Sequence, residues 1–281
     1  MSVIIMTDST ADLTPEAARR VSRVNLTLHF GDTDYEEGVD ITKEEFYEKL
    51  TSGDTIPTTS QPTPYAFEQA YEAALAQGDS VVCVTISSRL SGTYQSASIA
   101  AENHPGRVFV VDSRTVTIGA AILVEYALKL ADTGMTGGEI ADTLIRARDK
   151  VRLYAVVDTL EYLKRGGRVS PTVAFAGGLL NIKPIIAIED GEVRLVGKAR
   201  GARQSSAQLT KLIAQSGGVD YQMPLQLGYT GLDDTMLRQY MAENRDLWAP
   251  CGMEPPCSIV GSVVGTHAGP GAVAVAFFAA E

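Results

Sequence analysis

The stretch that decides the fold is Ser80-Val-Val-Cys-Val-Thr-Ile86, followed by Ser87-Ser-Arg-Leu-Ser-Gly-Thr-Tyr94. The first part is a continuous apolar run, typical of a strand that is buried on both faces. The second part is a polar loop that leads into a helix from about Ser91. In an open α/β sheet, ligands bind at the loops that leave the carboxyl ends of the strands. The stretch therefore predicts both a parallel α/β sheet and a ligand site beside Ser91.

The same alternation of strand and helix extends to about residue 151. Further strands are predicted at residues 3–6 and 107–111. Helix starts and helices are predicted at Thr14-Pro15, Thr63-Pro64, Ile118–Leu130 and the capping box Thr136-Gly-Gly-Glu139. Strands that alternate with helices imply a mostly parallel sheet with helices on both faces.

The regular alternation of strands and helices ends in the second half of the chain. Apolar runs at Ile185–Ile188 and Val193–Val196 flank Asp190-Gly191, which is a strong hairpin signal. Helices are predicted near Gln204–Gln215 and Asp234–Asn244, and the terminal runs Cys257–Val264 and Ala272–Phe278 are predicted as strands. We therefore expect an α/β fold of two domains. An α/β domain at residues 1–155 precedes an α+β domain with a mixed or antiparallel sheet at residues 156–281.

Composition excludes several classes of function. The chain has 281 residues and a formal net charge of −10, with no basic run longer than two residues, so we expect no nucleic-acid partner. Neither a membrane span nor a signal peptide is predicted. Cys83 lies in an apolar run, and the other two cysteines match no zinc or redox motif, which favours a cytoplasmic protein.

Four segments carry the polar groups and glycines that a ligand site needs. Gly261-Ser-Val-Val-Gly-Thr-His-Ala-Gly-Pro-Gly271 places His267 in a predicted glycine-rich turn, where main chain can approach a ligand closely. Pro57–Pro64 and Ser87–Tyr94 precede helices, whose free N–H groups favour an anion. Leu160–Ser170 holds a cationic cluster that suits an acidic ligand or a partner protein.

Each segment also has a purely structural interpretation. His267 is then incidental to a tight turn, Thr63 and Ser91 only cap helices, and the cationic cluster is a basic helix end stopped by glycine. The residues alone leave these alternatives open.

Familiar catalytic and cofactor motifs do not fit this chain. Ser91 lacks the flanking glycines of a nucleophile elbow, because Arg89 and Thr93 replace them. No H-E-x-x-H motif occurs, and the glycine-rich residues 191–198 lack the spacing and hydroxyl of a phosphate loop. Asp8, Ser91 and His267 stay open as a triad, because triads are defined by geometry and not by chain order. A serine hydrolase acting on acyl esters is therefore an alternative function.

A series of motifs across nearly the whole chain resembles the DegV family. The matching segments, in the family's order, are Asp8-Ser-Thr-Ala-Asp-Leu13, Thr59-Ser-Gln-Pro62, Ser87-Ser-Arg-Leu-Ser-Gly-Thr-Tyr-Gln-Ser-Ala97, Val111-Asp-Ser113, Leu160–Arg168, Asn181-Ile-Lys-Pro184 and Gly265-Thr-His-Ala-Gly-Pro-Gly271. The resemblance implies a long-chain fatty acid buried between or within two domains. DegV proteins resemble the binding subunit of bacterial fatty acid kinase. That subunit presents the acyl carboxylate to a separate ATP-binding subunit, and the acyl phosphate feeds phospholipid synthesis.

The resemblance also implies roles for individual residues. Thr59, Ser91 and His267 match the groups that bind the carboxylate. The supporting positions are Ser60, Gly92, Thr93 and Thr266, and the positions associated with kinase docking are Arg165 and Arg168. By this resemblance the protein is a lipid carrier with no catalytic residue, metal or cofactor of its own.

Overall fold

A computed structural model describes residues 2–53, 55–169, 182–252 and 254–281, which form three β-sheets with helices packed on them. The strands in chain order are β1 (Val3–Asp8), β2 (Ser22–Val24), β3 (Thr27–Phe30), β4 (Thr33–Glu36), β5 (Thr58–Ser60), β6 (Ser80–Thr85), β7 (Val108–Asp112), β8 (Val151–Val156), β9 (Ile182–Glu189), β10 (Glu192–Arg200), β11 (Gln226–Tyr229), β12 (Cys257–Ile259) and β13 (Val273–Phe278). The α-helices are α1 (Pro15–Ala18), α2 (Lys43–Ser52), α3 (Pro64–Leu75), α4 (Thr93–Ala101), α5 (Thr117–Asp132), α6 (Gly137–Ala147), α7 (Glu161–Arg165), α8 (Gly201–Gln215), α9 (Thr235–Glu243), α10 (Arg245–Trp248) and α11 (Ser262–Ala268).

The amino-terminal half contains a four-stranded sheet of order β2-β1-β6-β7, in which all neighbouring strands are parallel. Every residue of β6 is buried, because helices cover both faces of the sheet. Val81 and Cys83 pack towards α3 and α4, whereas Val82 and Val84 pack towards α5 and α6. The predicted parallel sheet between two helical layers is confirmed.

The second half contains a six-stranded mixed sheet of order β10-β9-β8-β13-β11-β12. β11 and β12 are parallel, and the other described pairs are antiparallel. The inner face packs on α5 through residues such as Leu153 and Ala274, and the outer face packs on α8 and α9. One core therefore joins the two large sheets, with α5 between them.

The predicted hairpin turn and three predicted helix caps are confirmed. Asp190 and Gly191 connect β9 to β10 with φ angles of 50° and 82°, as a two-residue hairpin turn requires. Thr14, Thr63 and Thr136 each cap a helix, and each hydroxyl accepts a hydrogen bond from the backbone amide three residues later.

A small antiparallel sheet of order β4-β3-β5 was not predicted. Its strands have only three or four residues and are largely polar, so they give little hydrophobic signal. Leu28 of β3 is fully buried and packs in one cluster with Phe46 of α2 and Val263 of α11. Because Leu28 pairs with Thr59 of β5, this sheet sets the position of Thr59.

The predicted terminal strand Cys257–Val264 is wrong beyond Ile259, because Ser262–Ala268 forms the helix α11. The segment around His267 is therefore helical, and not a turn between two strands. Glu37 Oε1 accepts a hydrogen bond from the Val263 amide at 2.8 Å, and Asp12 Oδ1 accepts one from the Gly261 amide at 2.8 Å. These carboxylates satisfy N–H groups at the helix start. Glu37 lies 226 residues before Val263, and Asp12 lies 249 residues before Gly261. No pattern within the segment itself could therefore predict these hydrogen bonds.

The predicted domain boundary after residue 155 falls inside β8. This strand pairs with β9 and β13, so the six-stranded sheet already begins at Val151. The exact division of the chain into two domains stays a prediction.

Candidate functional site

A cavity of about 380 Å³ lies between the carboxyl end of the four-stranded sheet and the inner face of the six-stranded sheet. This volume is in the range of small-molecule sites. The apolar residues that line it are Leu26, Ile86, Leu90, Val116, Leu153, Ala155, Val157, Leu163, Ile186, Ile188, Val193, Val260, Val263, Val264, Ala268, Ala272 and Ala274. The cavity therefore suits a ligand that is mostly hydrocarbon.

Three polar side chains from distant segments line the same cavity. Thr59 lies on β5, Ser91 lies in the loop between β6 and α4, and His267 lies on α11. Thr59 Oγ1 and His267 Nε2 are 3.1 Å apart and share a hydrogen bond. Ser91 Oγ accepts a hydrogen bond from the Thr93 amide and lies 2.8 Å from Thr93 Oγ1. The structure thus brings the three predicted carboxylate-binding residues to one cavity, and their role there stays a prediction.

His267 is an uncharged member of this group at neutral pH. Burial, and secondly the positive charge of Arg168, lower the pKa of its imidazole to about 4. Nδ1 is buried with no hydrogen-bond partner among the described residues. A Cβ atom at Gly166 would meet this nitrogen at 2.1 Å, so the position requires glycine. Nε2 is consequently the ring nitrogen that serves the cavity.

Arg168 lies closer to the cavity than the predicted docking role suggests. It lines the cavity, and burial lowers the pKa of its guanidinium. Nε donates to the carbonyl of Leu90 at 3.2 Å, and Nη1 donates to the carbonyl of Gly166 at 2.6 Å. No ion pair of Arg168 is found within the described part of the chain. The guanidinium is therefore a half-buried cation held by backbone carbonyls beside Ser91 and His267.

Among the predicted supporting residues, Ser60 and Gly92 line the cavity. A Cβ atom at Gly92 would meet Gln61 Oε1 at 2.0 Å, so the two loops approach each other closely there. Gln61 also lines the cavity, and its Nε2 donates to Ser96 Oγ at 3.0 Å. Gln61 was not among the predicted site residues, although it follows Thr59 by two residues in the motif Thr59-Ser-Gln-Pro62.

Thr93 and Thr266 do not belong to the described lining of the cavity. Thr93 is buried and holds Ser91 through its amide and hydroxyl. Thr266 is buried, and its hydroxyl donates to the carbonyl of Ser262 inside α11. Both residues therefore act on the site only through their neighbours. Arg165, the other predicted docking residue, is exposed at the end of α7.

The alternative triad of Asp8, Ser91 and His267 is not formed. Asp8 is fully buried and accepts hydrogen bonds from the Thr10 amide and hydroxyl and from the Ile86 amide. Neither Asp8 nor Ser91 has a hydrogen bond to His267 in the structure. A general base needs contact with both its nucleophile and its orienting carboxylate. The hydrolase alternative has no geometric support here.

The described residues include no group of His, Cys, Asp and Glu side chains that is arranged to hold a metal ion. Within the same residues, no helix is both long and apolar enough to cross a membrane.

Comparison with known proteins gives the family and supports the fold. The sequence model of the DegV family of uncharacterised proteins matches residues 2–280. The chain belongs to the DegV family. A DegV domain-containing protein of Deinococcus radiodurans is 40% identical over 283 residues, which cover 98% of each chain.

Two solved structures resemble this DegV chain closely. A DegV family protein from Thermus thermophilus, described as binding fatty acid, is 31% identical with a TM-score of 0.86 and covers 99% of this chain and 100% of its own. A stearic acid-binding protein from Eubacterium ventriosum is 27% identical with a TM-score of 0.83 and covers 98% and 97% of the two chains. The mixed α/β architecture is thus that of DegV proteins, as predicted. Asn181, in the motif Asn181-Ile-Lys-Pro184, lies outside the described residues. Ser170, the last residue of the segment Leu160–Ser170, also lies outside them.

Proposed function

We propose that this DegV protein binds one long-chain fatty acid, with the carboxylate at Thr59, Ser91 and His267 and the hydrocarbon chain in the cavity. The observation that carries this proposal is a cavity whose walls are mainly aliphatic and to which Thr59, Ser91 and His267 contribute polar groups. Its solved relatives from Thermus thermophilus and Eubacterium ventriosum, described as binding fatty acid and stearic acid, support the same ligand class.

The polar group suits a carboxylate. A buried carboxylate is costly unless hydrogen bonds satisfy it. When the Thr93 hydroxyl donates to Ser91 Oγ across their 2.8 Å contact, the Ser91 hydrogen is available for the ligand. A neutral His267 can donate from Nε2, and Thr59 supplies a second hydroxyl. Arg168 adds a nearby positive charge that favours the ionised acid.

The hydrocarbon chain supplies most of the binding free energy in this proposal. Each buried methylene contributes about 0.8 kcal/mol before the cost of ordering the chain. The polar group then orients the acid so that its carboxylate stays near the surface, where Ser60 and Gln61 are exposed.

We further propose that the protein presents this carboxylate to a separate ATP-binding kinase subunit, which forms the acyl phosphate used in phospholipid synthesis. The end of α7 supports a docking role for this region. Lys164 and Arg165 are exposed there, and the next residue, Gly166, contacts His267. The carrier itself performs no reaction in this scheme. We place it in the bacterial cytoplasm, where free cysteines such as Cys251 persist.

Solvent extraction tests the ligand. We expect the purified protein to release fatty acid in a one-to-one ratio, measured by mass spectrometry against protein concentration. A protein that carries no fatty acid, and takes none up when it is incubated with palmitic acid, would refute the proposal.

Reconstitution with a bacterial ATP-binding kinase subunit tests presentation. We expect Arg165→Gln to slow acyl-phosphate formation while fatty acid occupancy is unchanged. Lys211→Gln removes an equally exposed charge from α8, on the outer face of the six-stranded sheet, and should leave the rate unchanged. Equal rates for both variants and the native chain would contradict docking at α7.

A further inference from the structure

A second cavity, of about 340 Å³, opens where β8 and β9 separate. The two strands pair from Val156 with Ile185 to Tyr154 with Ala187. The same antiparallel register would next pair Leu153 with Ile188, but the described ladder stops before that pair. The strands therefore diverge at Leu153 and Ile188, and the second cavity begins there.

Leu153 and Ile188 are also the two described residues that line both cavities. One side of this pair faces the cavity proposed for the fatty acid, and the other side faces the second cavity. Ile188 is only half-buried, which is consistent with an open second side. We call this pair of side chains the partition.

The partition lies at one end of the row of β8 residues that line the first cavity. Val157, Ala155 and Leu153 line the first cavity along β8 and the residue that follows it. Val157 lies at the other end of that row, and Leu163 of α7 and Arg168, which follow it in the chain, also line the cavity. At a rise of about 3.3 Å per residue, Leu153 lies about 13 Å further along the strand.

The two cavities differ in chemistry. The first has mainly aliphatic walls, whereas the second is lined by Arg114, Arg148 and Arg152 together with acidic side chains. Charged groups therefore line this space, and Arg148 and Arg152 are held by hydrogen bonds to backbone carbonyls. A hydrocarbon chain gains burial up to the partition and gains little beyond it.

We propose that Leu153 and Ile188 set the upper limit on the length of the acyl chain. The proposal rests on the proposed function, in which the first cavity holds the hydrocarbon chain of a fatty acid. Smaller side chains at either position would lengthen the first cavity by the space that they vacate and admit longer acids.

Binding of a series of saturated fatty acids, from lauric to lignoceric acid, tests this proposal. Occupancy and competition against palmitic acid would be measured by native mass spectrometry. We expect the affinity of the native chain to fall steeply beyond one chain length. In Ile188→Ala and Leu153→Ala, the limit should move to longer acids. The first acid that the native chain excludes should bind about tenfold more tightly to these variants, the factor that two buried methylenes supply.

Val156→Ala is the matched control, because it truncates a buried aliphatic side chain of the same strand that faces away from the first cavity. It should keep the native limit. Ile188→Ala keeps the test decisive if Leu153→Ala fails to fold, since Ile188 is less buried. If the longest acid that binds is the same in the variants as in the native chain, and palmitic acid binds normally, the role proposed for the partition is refuted and the proposed function is not. Failure of the native chain to bind any acid of the series would instead overturn the proposed function.

Discussion

His267 is kept neutral by its surroundings, and a second titratable residue acts at the other end of the same helix. Glu37 accepts hydrogen bonds at the start of α11, and burial raises the pKa of its carboxyl to about 7. Hydrogen bonds from Ser9 and the Val263 amide oppose that shift, whereas the nearby charge of Asp12 adds to it. Burial thus moves the two pKa values in opposite directions, because it penalises the charged form of each residue.

We expect these two residues to give opposite dependences of stability on pH. The unfolded chain takes up a proton at His267 near pH 6.5 and the folded chain only near pH 4, so this residue lowers stability as pH falls through that range. The folded chain holds the Glu37 proton up to about pH 7 and the unfolded chain only to about 4.5, so this residue lowers stability as pH rises.

Urea unfolding of single variants, measured at several pH values from about 4 to 7, separates the effect of His267 on stability from that of Glu37. In His267→Gln, the free energy of unfolding should fall by about 2 to 3 kcal/mol as pH rises from about 4.5 to 7. In Glu37→Gln, it should rise by a similar amount from about pH 4 to 6.5. Parallel pH profiles for the two variants would contradict the assignment.

Ser91 offers a direct test of the carboxylate site. Ser91→Ala should weaken fatty acid binding by about 1.5 to 3 kcal/mol, roughly 10- to 100-fold, because a hydrogen bond to a charged group is lost. Ser88→Ala is the control, since Ser88 lies in the same loop but is exposed and bonds to Asp112. Competition binding would measure both variants. Equal affinities for Ser91→Ala and the native chain would remove Ser91 from the site.

At the scale of elements, α11 holds His267 in place through close packing on α2. The contact occurs at Gly265, where an added Cβ would meet Tyr47 Oη at 2.6 Å and Phe46 Cε1 at 2.8 Å. Both aromatic side chains are fully buried, so neither can move aside easily. Glycine at this position therefore lets the helix approach α2 closely enough for His267 to reach Thr59.

Gly265→Ala is expected to destabilise the fold, although alanine is the better helix former. The overpacking should lower the free energy of unfolding by about 1 to 3 kcal/mol. Gly138→Ala in α6 is the control, since its Cβ would meet Phe109 at an ordinary 3.4 Å, and it should be neutral or stabilising by up to about 1 kcal/mol. Urea unfolding of both variants measures the difference, and a stabilised Gly265→Ala variant would show that α11 does not pack as described.

At the scale of the whole molecule, the cavity interrupts the core that joins the two large sheets. Its walls include Ile86 at the end of one sheet and Leu153 and Ala274 on the face of the other, all within the same hydrophobic cluster. A ligand that fills this space replaces missing core contacts. Ligand occupancy and folding stability should therefore be coupled.

Removal of the bound acid should lower the melting temperature. At a free ligand concentration 100 times the Kd, binding stabilises the folded state by about 2.7 kcal/mol, which for a chain of this size raises Tm by about 5 to 10 °C. Scanning calorimetry of the delipidated protein with and without palmitic acid measures this shift. Butyric acid, which has the carboxylate but little hydrocarbon, is the control and should produce almost none. Equal shifts for the two acids would show that the cavity does not hold the hydrocarbon chain.

Features with a local cause could be predicted from the sequence. The Asp190-Gly191 turn, the Thr63 cap and the buried β6 strand each follow from neighbouring residues. The prediction failed at α11, because the carboxylates that satisfy its first amides come from Glu37 and Asp12. Without those distant partners, an apolar segment of that length is equally consistent with a strand.

The sequence by itself determined the alternation of strands and helices, the family, and the candidates Thr59, Ser91 and His267. Only the tertiary structure decided which groups share a cavity. It placed Arg168 beside His267, bonded Asp8 to Thr10 and Ile86 and not to His267, and set Leu153 and Ile188 between two cavities. Local propensities act over a few residues, whereas a cavity is formed by side chains from strands and loops that meet only when the sheets pack against each other.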